Sequence, residues 1–280
     1  MSPIRRLLVP LATLTALALL PALLPAAPAA ADPGPPPSAM ASLGDSITRG
    51  FNACGWYVDC TSRSFSTGDN SAVNSHYLRI RAVNPAIAGR NHNDARSGAK
   101  SADMYGQAGT AVGQGVGYVT ILIGANDACT SAESGMTPVG TYRANIDAAL
   151  NRLKAGLPNA RVQLISVPDI HRLWSVGKDS GSARTAWSLF GICPSMLANP
   201  TSTAQADVDR RNRVRQRVVD YNSQLAQACA AYGPNCDFDD NAVFSYPFTL
   251  SQLSGWDYFH PNSAGQTVLA NVSYAAGFRW

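Results

Sequence analysis

The sequence predicts an α/β fold in which helices cover both faces of a parallel sheet. Short apolar runs alternate with amphipathic stretches about five times along the chain, a pattern typical of such folds. The run at residues 118–123 is the clearest strand, because it is mostly β-branched and apolar, as a strand buried on both faces should be. Ligands of parallel sheets bind beyond the carboxyl ends of the strands. The residues that follow each strand are therefore the first candidates for function.

The other strands and helices are predicted from the same two patterns, apolar runs and amphipathic stretches. Apolar runs predict strands at residues 39–43, 91–96, 118–123, 161–167 and 236–239. Apolar residues at helical spacing predict helices at residues 71–83, from about 102, at 138–157, 204–232 and 261–278. Thr137 is the expected N-cap of the helix at 138–157. Residues 51–70 indicate a loop because they are rich in Gly, Ser, Asn and aromatic residues, and residues 179–203 indicate an insertion because they lack a clear period.

The first 31 residues have the organisation of a secretory signal peptide. Arg5 and Arg6 precede an apolar run that ends near residue 24, and small residues follow up to Ala31. A membrane anchor is the alternative, but prolines interrupt the run and proline-rich polar sequence follows it. We expect cleavage after Ala31, a proline-rich lead-in at residues 32–38 that does not pack, and a single domain at residues 39–280.

Charge and composition exclude several classes of protein. The formal net charge is +4, and no block of like charge is long enough to bind nucleic acid. The densest basic stretch, residues 210–217, alternates with apolar and acidic residues and is interpreted as a solvated helix face. An apolar content of 46% excludes a disordered chain.

Six cysteines lie beyond the expected cleavage point, and an even number in an exported chain points to disulfides. Other pairings are possible in principle, but two pairs are close in sequence, which leaves the third. The expected pairs are Cys54–Cys60, Cys229–Cys236 and Cys129–Cys193. No C-x-x-C and no His at zinc-ligand spacing accompany them, so we expect neither a metal nor a cofactor.

Chemically versatile residues follow the predicted strands. Ser46 follows the first strand, Gly98 the second and Asn126 the third, and Asp257 and His260 precede the last helix. The carboxyl ends of parallel strands meet at one edge, so we expect these groups to lie together. A hydroxyl, a backbone N–H, an amide, an imidazole and a carboxylate are what acyl transfer through a serine nucleophile requires.

Each of these residues has an expected role. Ser46 would be the nucleophile at a strand-to-helix turn, where the dipole of the following helix favours an oxyanion. His260 would take the Ser46 proton and return it to the leaving alcohol, and Asp257 would orient the imidazole. Gly98 permits close backbone approach, and Asn126 can donate to the same oxygen. Singly, each has an ordinary alternative, such as a helix N-cap or a turn residue, so the interpretation depends on their combination.

The combination resembles the four sequence blocks of the SGNH (GDSL-type) hydrolases. The blocks are G-D-S at residues 44–46, Gly98 within A-R-S-G-A, G-x-N-D at 124–127 and D-x-x-H-P at 257–261. The resemblance covers residues 39–278. It implies a three-layer α/β/α sandwich with a five-stranded parallel sheet of the flavodoxin-like kind.

The resemblance also implies a role for each residue. Ser46 is then the nucleophile, Asp257 and His260 complete the triad, and the Ser46 N–H, the Gly98 N–H and the Asn126 amide form the oxyanion hole. Some secreted relatives replace the acid with a backbone carbonyl, so two alternatives exist for the group that orients His260.

The implied function is a secreted, monomeric serine ester hydrolase that acts on small-molecule or lipid esters, with a transient lipid interface. Apolar and aromatic residues near the site favour lipid or fatty-acyl esters. A carbohydrate acetyl esterase and a non-catalytic binding protein on the same fold are the alternatives.

Four further residues have expected positions. Trp256 is expected to contact substrate, and His76 and His92 are expected at the surface. A place for His171 in the pocket is left open.

Overall fold

A single five-stranded parallel sheet organises the chain, in a computed structural model that describes residues 34–278 and residue 280. The strands are β1 Met40–Gly44, β2 Asn91–Asn93, β3 Tyr118–Leu122, β4 Arg161–Leu164 and β5 Cys236–Phe238. Their order is β2-β1-β3-β4-β5, and every neighbouring pair is parallel. The predicted α/β class with a five-stranded parallel sheet is confirmed. The predicted signal peptide lies outside the described residues.

Helices connect the strands. In the described part of the chain they are α1 His76–Val83, α2 Met104–Gln114, α3 Ala125–Ala128, α4 Val139–Gly156, α5 Ile170–Gly177, α6 Gly181–Leu189, α7 Pro194–Leu197, α8 Gln205–Tyr232, α9 Ala242–Ser245 and α10 Ser263–Ala275. The step from β1 to β2 runs opposite to the later steps across the sheet. Because such crossovers are right-handed, α1 covers one face and α2, α4 and α8 cover the other.

The two faces of the sheet differ in character. Side chains alternate between the faces along a strand. Leu43 and Ile121 face the larger apolar core with α2, α4 and α8, whereas Met40 and Tyr118 belong to a second cluster with α1. The reversal of strand order between β1 and β3 leaves a crevice at their carboxyl ends, where the binding site of such a sheet is expected.

His76 is a buried residue at the start of α1, so its predicted surface position is wrong. Its Nδ1 lies 3.0 Å from the Tyr118 hydroxyl and its Nε2 2.8 Å from the Ser273 hydroxyl, which ties α1 to β3 and α10. Burial lowers the pKa of His76 to about 3. His92 was also expected at the surface, but it lies half-buried within β2.

Two other predictions are corrected at helix boundaries. The predicted insertion contains α6 and α7, so it is helical in part. Thr137 does not cap α4, because Pro138 occupies the N-cap position and supplies no side-chain acceptor. The helix predicted from residue 71 begins only at His76, where the Ser75 hydroxyl accepts the Leu78 N–H at 3.1 Å.

The described part of the lead-in packs against the domain, contrary to expectation. Pro37 is buried, and the Asn84 amide donates to the Pro36 and Pro37 carbonyls at 2.9 and 3.1 Å. The basic stretch of α8 is also only partly solvated, because the Arg211 side chain is buried against the Trp174 ring.

Three disulfides pair the cysteines as expected, Cys54 with Cys60, Cys129 with Cys193, and Cys229 with Cys236. The first closes the loop that follows Ser46. The second joins the end of α3 to the start of α7. Within residues 34–278 no helix combines the length and apolar character needed to cross a bilayer.

Candidate active site

Ser46 lies in the turn that follows β1, at the carboxyl edge of the sheet. The predicted helix after Ser46 does not form, since residues 45–54 are a series of turns. Gly50 and Asn52 have φ angles of 63° and 67°, a left-handed conformation that interrupts a helix. The expectation that a helix dipole acts at the Ser46 N–H is therefore wrong, and any oxyanion stabilisation there must come from individual donors.

Side-chain amides from two helices hold this turn in place. Gln107 of α2 accepts the Gly44 N–H at 2.8 Å and donates to the Gly44 carbonyl at 2.9 Å. Gln266 of α10 donates to the Ile47 carbonyl at 2.8 Å. A Cβ at Gly44, whose φ is 150°, would lie 2.3 Å from the Leu122 carbonyl oxygen, so only glycine fits. The turn is therefore anchored to both α2 and α10.

His260 joins Ser46 and Asp257 in one chain of hydrogen bonds. His260 Nε2 lies 2.8 Å from Ser46 Oγ, and His260 Nδ1 lies 2.6 Å from Asp257 Oδ2. An ionised carboxylate only accepts hydrogen bonds, so Nδ1 donates to Asp257 and the neutral ring leaves Nε2 to accept from the Ser46 hydroxyl. The group that faces Nδ1 is thus the Asp257 carboxylate rather than a backbone carbonyl. Such an arrangement can withdraw the Ser46 proton as an acyl bond forms.

Gly98 and Asn126 line the same cleft as Ser46 and His260, with a cavity volume of about 320 Å³. Gly98 follows β2 with a φ of 81°, which glycine adopts without strain. The Asn126 amide nitrogen donates one hydrogen to the Ala99 carbonyl at 2.9 Å, which leaves its second hydrogen for a substrate oxygen. The structure therefore brings all five predicted site residues to one edge of the sheet.

Asp127 fixes the segment after β2 relative to the segment after β3. Its carboxylate accepts the Ser101 N–H at 2.9 Å and the Ser101 hydroxyl at 2.7 Å. Asn126 is bonded to Ala99, which lies two residues before Ser101. The two segments are therefore joined both by Asn126 and by Asp127. The acid of the G-x-N-D block thus holds the segments that carry Gly98 and Asn126 together.

A comparison with protein families agrees with this geometry. Residues 40–272 match the family described as GDSL-like Lipase/Acylhydrolase. The chain belongs to this family. It is accordingly a carboxylic ester hydrolase, and the resemblance to SGNH (GDSL-type) hydrolases is confirmed.

Solved structures share the fold of this GDSL-like hydrolase. A catalytic variant of an acetylxylan esterase from Geobacillus stearothermophilus is 16% identical with a TM-score of 0.52, over 86% of this chain and 94% of that chain. A protein from Parabacteroides merdae described as a GDSL-like lipase is 18% identical with a TM-score of 0.50, over 85% and 94%. At these identities the similarity concerns the fold alone. No curated protein sequence matches the chain.

Asn52 is a contributor to the GDSL-type site that sequence reasoning missed. Its amide donates to Asp257 Oδ2 at 2.7 Å, and the Asp257 side chain is fully buried. Asp257 Oδ1 accepts the backbone N–H groups of Phe259 and His260, each at 3.0 Å. The Asp257 carboxylate is therefore held by the Asn52 amide and two backbone N–H groups in addition to the imidazole. The only local signal for Asn52 is its place in the turn after Ser46, because its partner is 205 residues away.

A second acid, Asp45, is buried directly beside Ser46. Its Oδ1 accepts the Ile47 N–H at 2.9 Å, whereas its Oδ2 has no hydrogen-bond partner among the described residues. Burial raises the pKa of Asp45 to about 7. The G-D-S block thus carries a carboxyl that changes charge near neutral pH within the core of the GDSL-type site.

Aromatic residues surround the mouth of the cleft. Phe51 packs against His260 with ring centroids 4.8 Å apart, and Tyr57 packs against Phe51 at 5.0 Å. Trp256 lies farther out, 6.4 Å from Tyr57, at the rim rather than inside the cleft. His171 packs on Trp174 with ring centroids 4.9 Å apart and does not line this cleft.

Among the described residues, no group of three or more His, Cys, Asp or Glu side chains is arranged to hold a metal ion.

Proposed function

We propose that this protein is an exported serine hydrolase that cleaves lipid or fatty-acyl esters through an acyl-enzyme on Ser46. The hydrogen-bonded chain from Ser46 through His260 to Asp257 carries the proposal. His260 Nε2 takes the proton as Ser46 Oγ bonds to the ester carbonyl carbon. The Ser46 N–H, the Gly98 N–H and the Asn126 amide stabilise the oxyanion.

The remaining steps release first the alcohol and then the carboxylic acid. The tetrahedral intermediate collapses, the bond to the alcohol oxygen breaks, and His260 returns its proton to the departing alcohol. A water molecule then gives a proton to His260 as its oxygen attacks the acyl carbon. As the second tetrahedral intermediate collapses, the bond between the acyl carbon and Ser46 Oγ breaks, His260 returns its proton to Oγ, and the carboxylic acid is released.

An apolar cavity next to the triad supports the choice of fatty-acyl esters. Phe259 lines both this cavity and the catalytic cleft, so the two spaces are neighbours. Nearly all of the lining is hydrophobic: Ile47, Ala125, Pro168, Asp169, Ile170, Leu173, Val176, Phe248, Leu253, Phe259 and Pro261. The cavity volume is about 50 Å³, so it would take a short stretch of an acyl chain, with a gain of about 0.8 kcal/mol for each methylene removed from water.

Export is the second part of the proposal. Residues 1–31 would be removed as a signal peptide, and residues 39–280 would act as one monomeric catalytic domain. The three disulfides support an oxidising destination outside the cell, where such bonds persist. Intact mass of the secreted protein tests cleavage after Ala31, and size-exclusion chromatography tests the monomer.

Two alternatives make different predictions. A carbohydrate acetyl esterase would use the same triad, and the structural similarity to an acetylxylan esterase keeps this alternative in view. It would not be favoured by longer acyl chains in the apolar cavity, because an acetyl group has no methylene to bury there. A non-catalytic binding protein would retain the fold without turnover.

A substrate series distinguishes these functions. The purified protein is assayed on p-nitrophenyl esters from acetate to palmitate, on acetylated xylan and on phosphatidylcholine, with Ser46→Ala as the inactive control. We expect kcat/KM to rise from acetate towards longer acyl chains, and phosphatidylcholine to be hydrolysed. Turnover confined to acetyl esters would reject the fatty-acyl assignment, and no turnover of any ester would reject catalysis.

A further inference from the structure

Exposed apolar side chains are concentrated at the mouth of the catalytic cleft. Among the described residues, six large hydrophobic side chains that are at least 46% exposed lie on three neighbouring segments. We call this set the apolar rim; it consists of Trp56, Tyr57, Val58, Leu189, Phe190 and Trp256. Tyr57 connects the segments, since its ring lies 5.8 Å from Phe190 and 6.4 Å from Trp256. Tyr57 also lines the cleft that contains Ser46 and His260, so the rim is continuous with the site.

The rim is held outward by covalent and hydrogen bonds. The Cys54–Cys60 disulfide closes the short loop that carries Trp56, Tyr57 and Val58. The Trp256 indole N–H donates to the Gly55 carbonyl at 2.9 Å, which fixes Trp256 to the same loop. Cys193, three residues after Phe190, is anchored to Cys129 by the second disulfide. These loops therefore cannot easily fold inward to hide their apolar side chains.

Charged groups near the rim do not oppose an apolar partner. The segment between Cys54 and Cys60 contains one acid, Asp59, whose carboxylate is paired with Arg49 at 2.9 Å. Residues 181–192 contain no acid, and Asp257 beside Trp256 is fully buried. The rim thus presents aromatic and aliphatic groups without an unpaired negative charge.

We propose that the apolar rim inserts into a lipid–water interface and docks the enzyme with its cleft facing the lipid. This inference rests on the proposed function, in which the substrate is a lipid ester. Trp and Tyr are favoured at such interfaces, where one end of the side chain is apolar and the other is wet. Tyr57 of the rim and Phe259 of the apolar cavity both line the catalytic cleft, so the rim and the cavity both adjoin the space that contains Ser46.

A sugar polymer fits the rim less well than lipid does. Carbohydrate platforms combine aromatic faces with free hydrogen-bond donors, whereas the Trp256 indole N–H is already used by the Gly55 carbonyl. Val58 and Leu189 are aliphatic and offer neither a ring face nor a donor. Insertion into lipid uses both kinds of side chain, because its strength depends on buried apolar area.

Binding to phosphatidylcholine vesicles tests the proposal. Binding of the protein to the vesicles is measured by flotation, in a Ser46→Ala background that prevents hydrolysis. The rim variant is Trp56→Ser with Leu189→Ser, whose side chains are 68% and 74% exposed. The control variant is Val83→Ser with Tyr105→Ser, which removes two large hydrophobic side chains outside the rim that are 57% and 54% exposed. We expect the rim variant to bind at least about tenfold more weakly than its parent and the control to bind like its parent. Equal binding of the two variants would overturn the proposal.

Activity assays separate this inference from the proposed function. With Ser46 intact, the rim variant should lose activity on phosphatidylcholine vesicles but keep its kcat/KM on soluble p-nitrophenyl acetate. If the parent enzyme hydrolyses no long-chain ester, the proposed function fails. If the parent hydrolyses vesicles and the rim variant equals the control, only the docking inference fails. Loss of xylan binding or of a dimer in the rim variant, with vesicle binding unchanged, would assign the rim to a different occupant and also overturn the inference.

Discussion

Asp257 accepts four hydrogen bonds, and only one of them comes from the imidazole ring. Two others come from backbone N–H groups, which an amide oxygen could still accept. The charge and the acceptor at Oδ2 are what an asparagine would lack. At the scale of single residues, the central question is therefore whether the carboxylate sets the tautomer of His260 or only shapes its loop.

Asp257→Asn separates these two roles. The new NH₂ group would face both His260 Nδ1 and the Asn52 amide, so it would favour the tautomer that cannot accept the Ser46 proton. We expect kcat/KM to fall by several powers of ten, on the order of 10⁴ as in a well-studied triad. Steady-state kinetics on one p-nitrophenyl ester, with circular dichroism as a check of folding, gives the result. A loss of tenfold or less would leave a Ser46–His260 dyad as the catalytic unit.

Asn52→Gly tests the newly identified support of Asp257. Glycine accepts the φ of 67° at this position but removes the amide that donates to Asp257. We expect kcat to fall by about tenfold with KM little changed, because a misplaced triad weakens the transition state more than substrate binding. Asn52→Asp, which keeps the size but adds a charge beside Asp257, should be worse than Asn52→Gly. The reverse order would mean that Asn52 acts through packing alone.

At the scale of elements, strands and helices with a contiguous apolar pattern were predictable from the sequence. Turns that interrupt a helix, and short helices without such a pattern, were not. β3 was predicted because residues 118–123 are mostly β-branched and apolar, and all five residues of the observed strand are buried. The turn after Ser46 was expected to be helical, because its left-handed residues, Gly50 and Asn52, are not distinguishable by composition. α6 was missed because a short Gly-, Ser- and Ala-rich stretch has too few apolar residues to show a period. Gln107 and Gln266 were missed because they act on distant backbone groups.

The Cys129–Cys193 disulfide should matter most among the three for stability. It closes a separation of 64 residues that includes α4, β4, α5 and α6, whereas Cys229 and Cys236 are 7 apart. Replacing both Cys129 and Cys193 by Ser should lower the free energy of unfolding by about 2–4 kcal/mol, in the chain-entropy picture of a long loop. The matched Cys229→Ser, Cys236→Ser variant should lose less. Urea denaturation of both measures this, and an equal or reversed loss would contradict it.

At the scale of the whole molecule, two buried titratable groups act on stability in opposite directions. The pKa of His76 is lowered to about 3 by burial, whereas the unfolded value is about 6.5. Below pH 6.5 the unfolded chain therefore takes up a proton that the folded chain refuses, and stability falls as the pH decreases towards 3. The pKa of Asp45 is raised to about 7, so the folded chain binds a proton first and gains stability over much of the same range.

His76→Gln isolates the first of these effects. Glutamine can still bond to Tyr118 or Ser273 but does not titrate, and the Asp45 contribution stays the same in both proteins. We expect the fall in Tm between pH 7 and pH 4 to be smaller in the variant by about 3 °C or more, whatever its absolute Tm. Differential scanning calorimetry across this range provides the comparison, and parallel curves for the two proteins would contradict it.

The fold brings His260, near one end of the domain, to Ser46, near the other. The proposal that Ser46 is the nucleophile is tested most directly by covalent labelling. The protein is treated with a serine-reactive fluorophosphonate, and the adduct is measured by intact mass and located by peptide mapping. We predict a single adduct on Ser46, absent from Ser46→Ala and much slower in His260→Ala, because the hydroxyl needs the imidazole to lose its proton. No adduct on the folded protein, or an adduct on another serine at the same rate in Ser46→Ala, would contradict the assignment of Ser46 as the nucleophile.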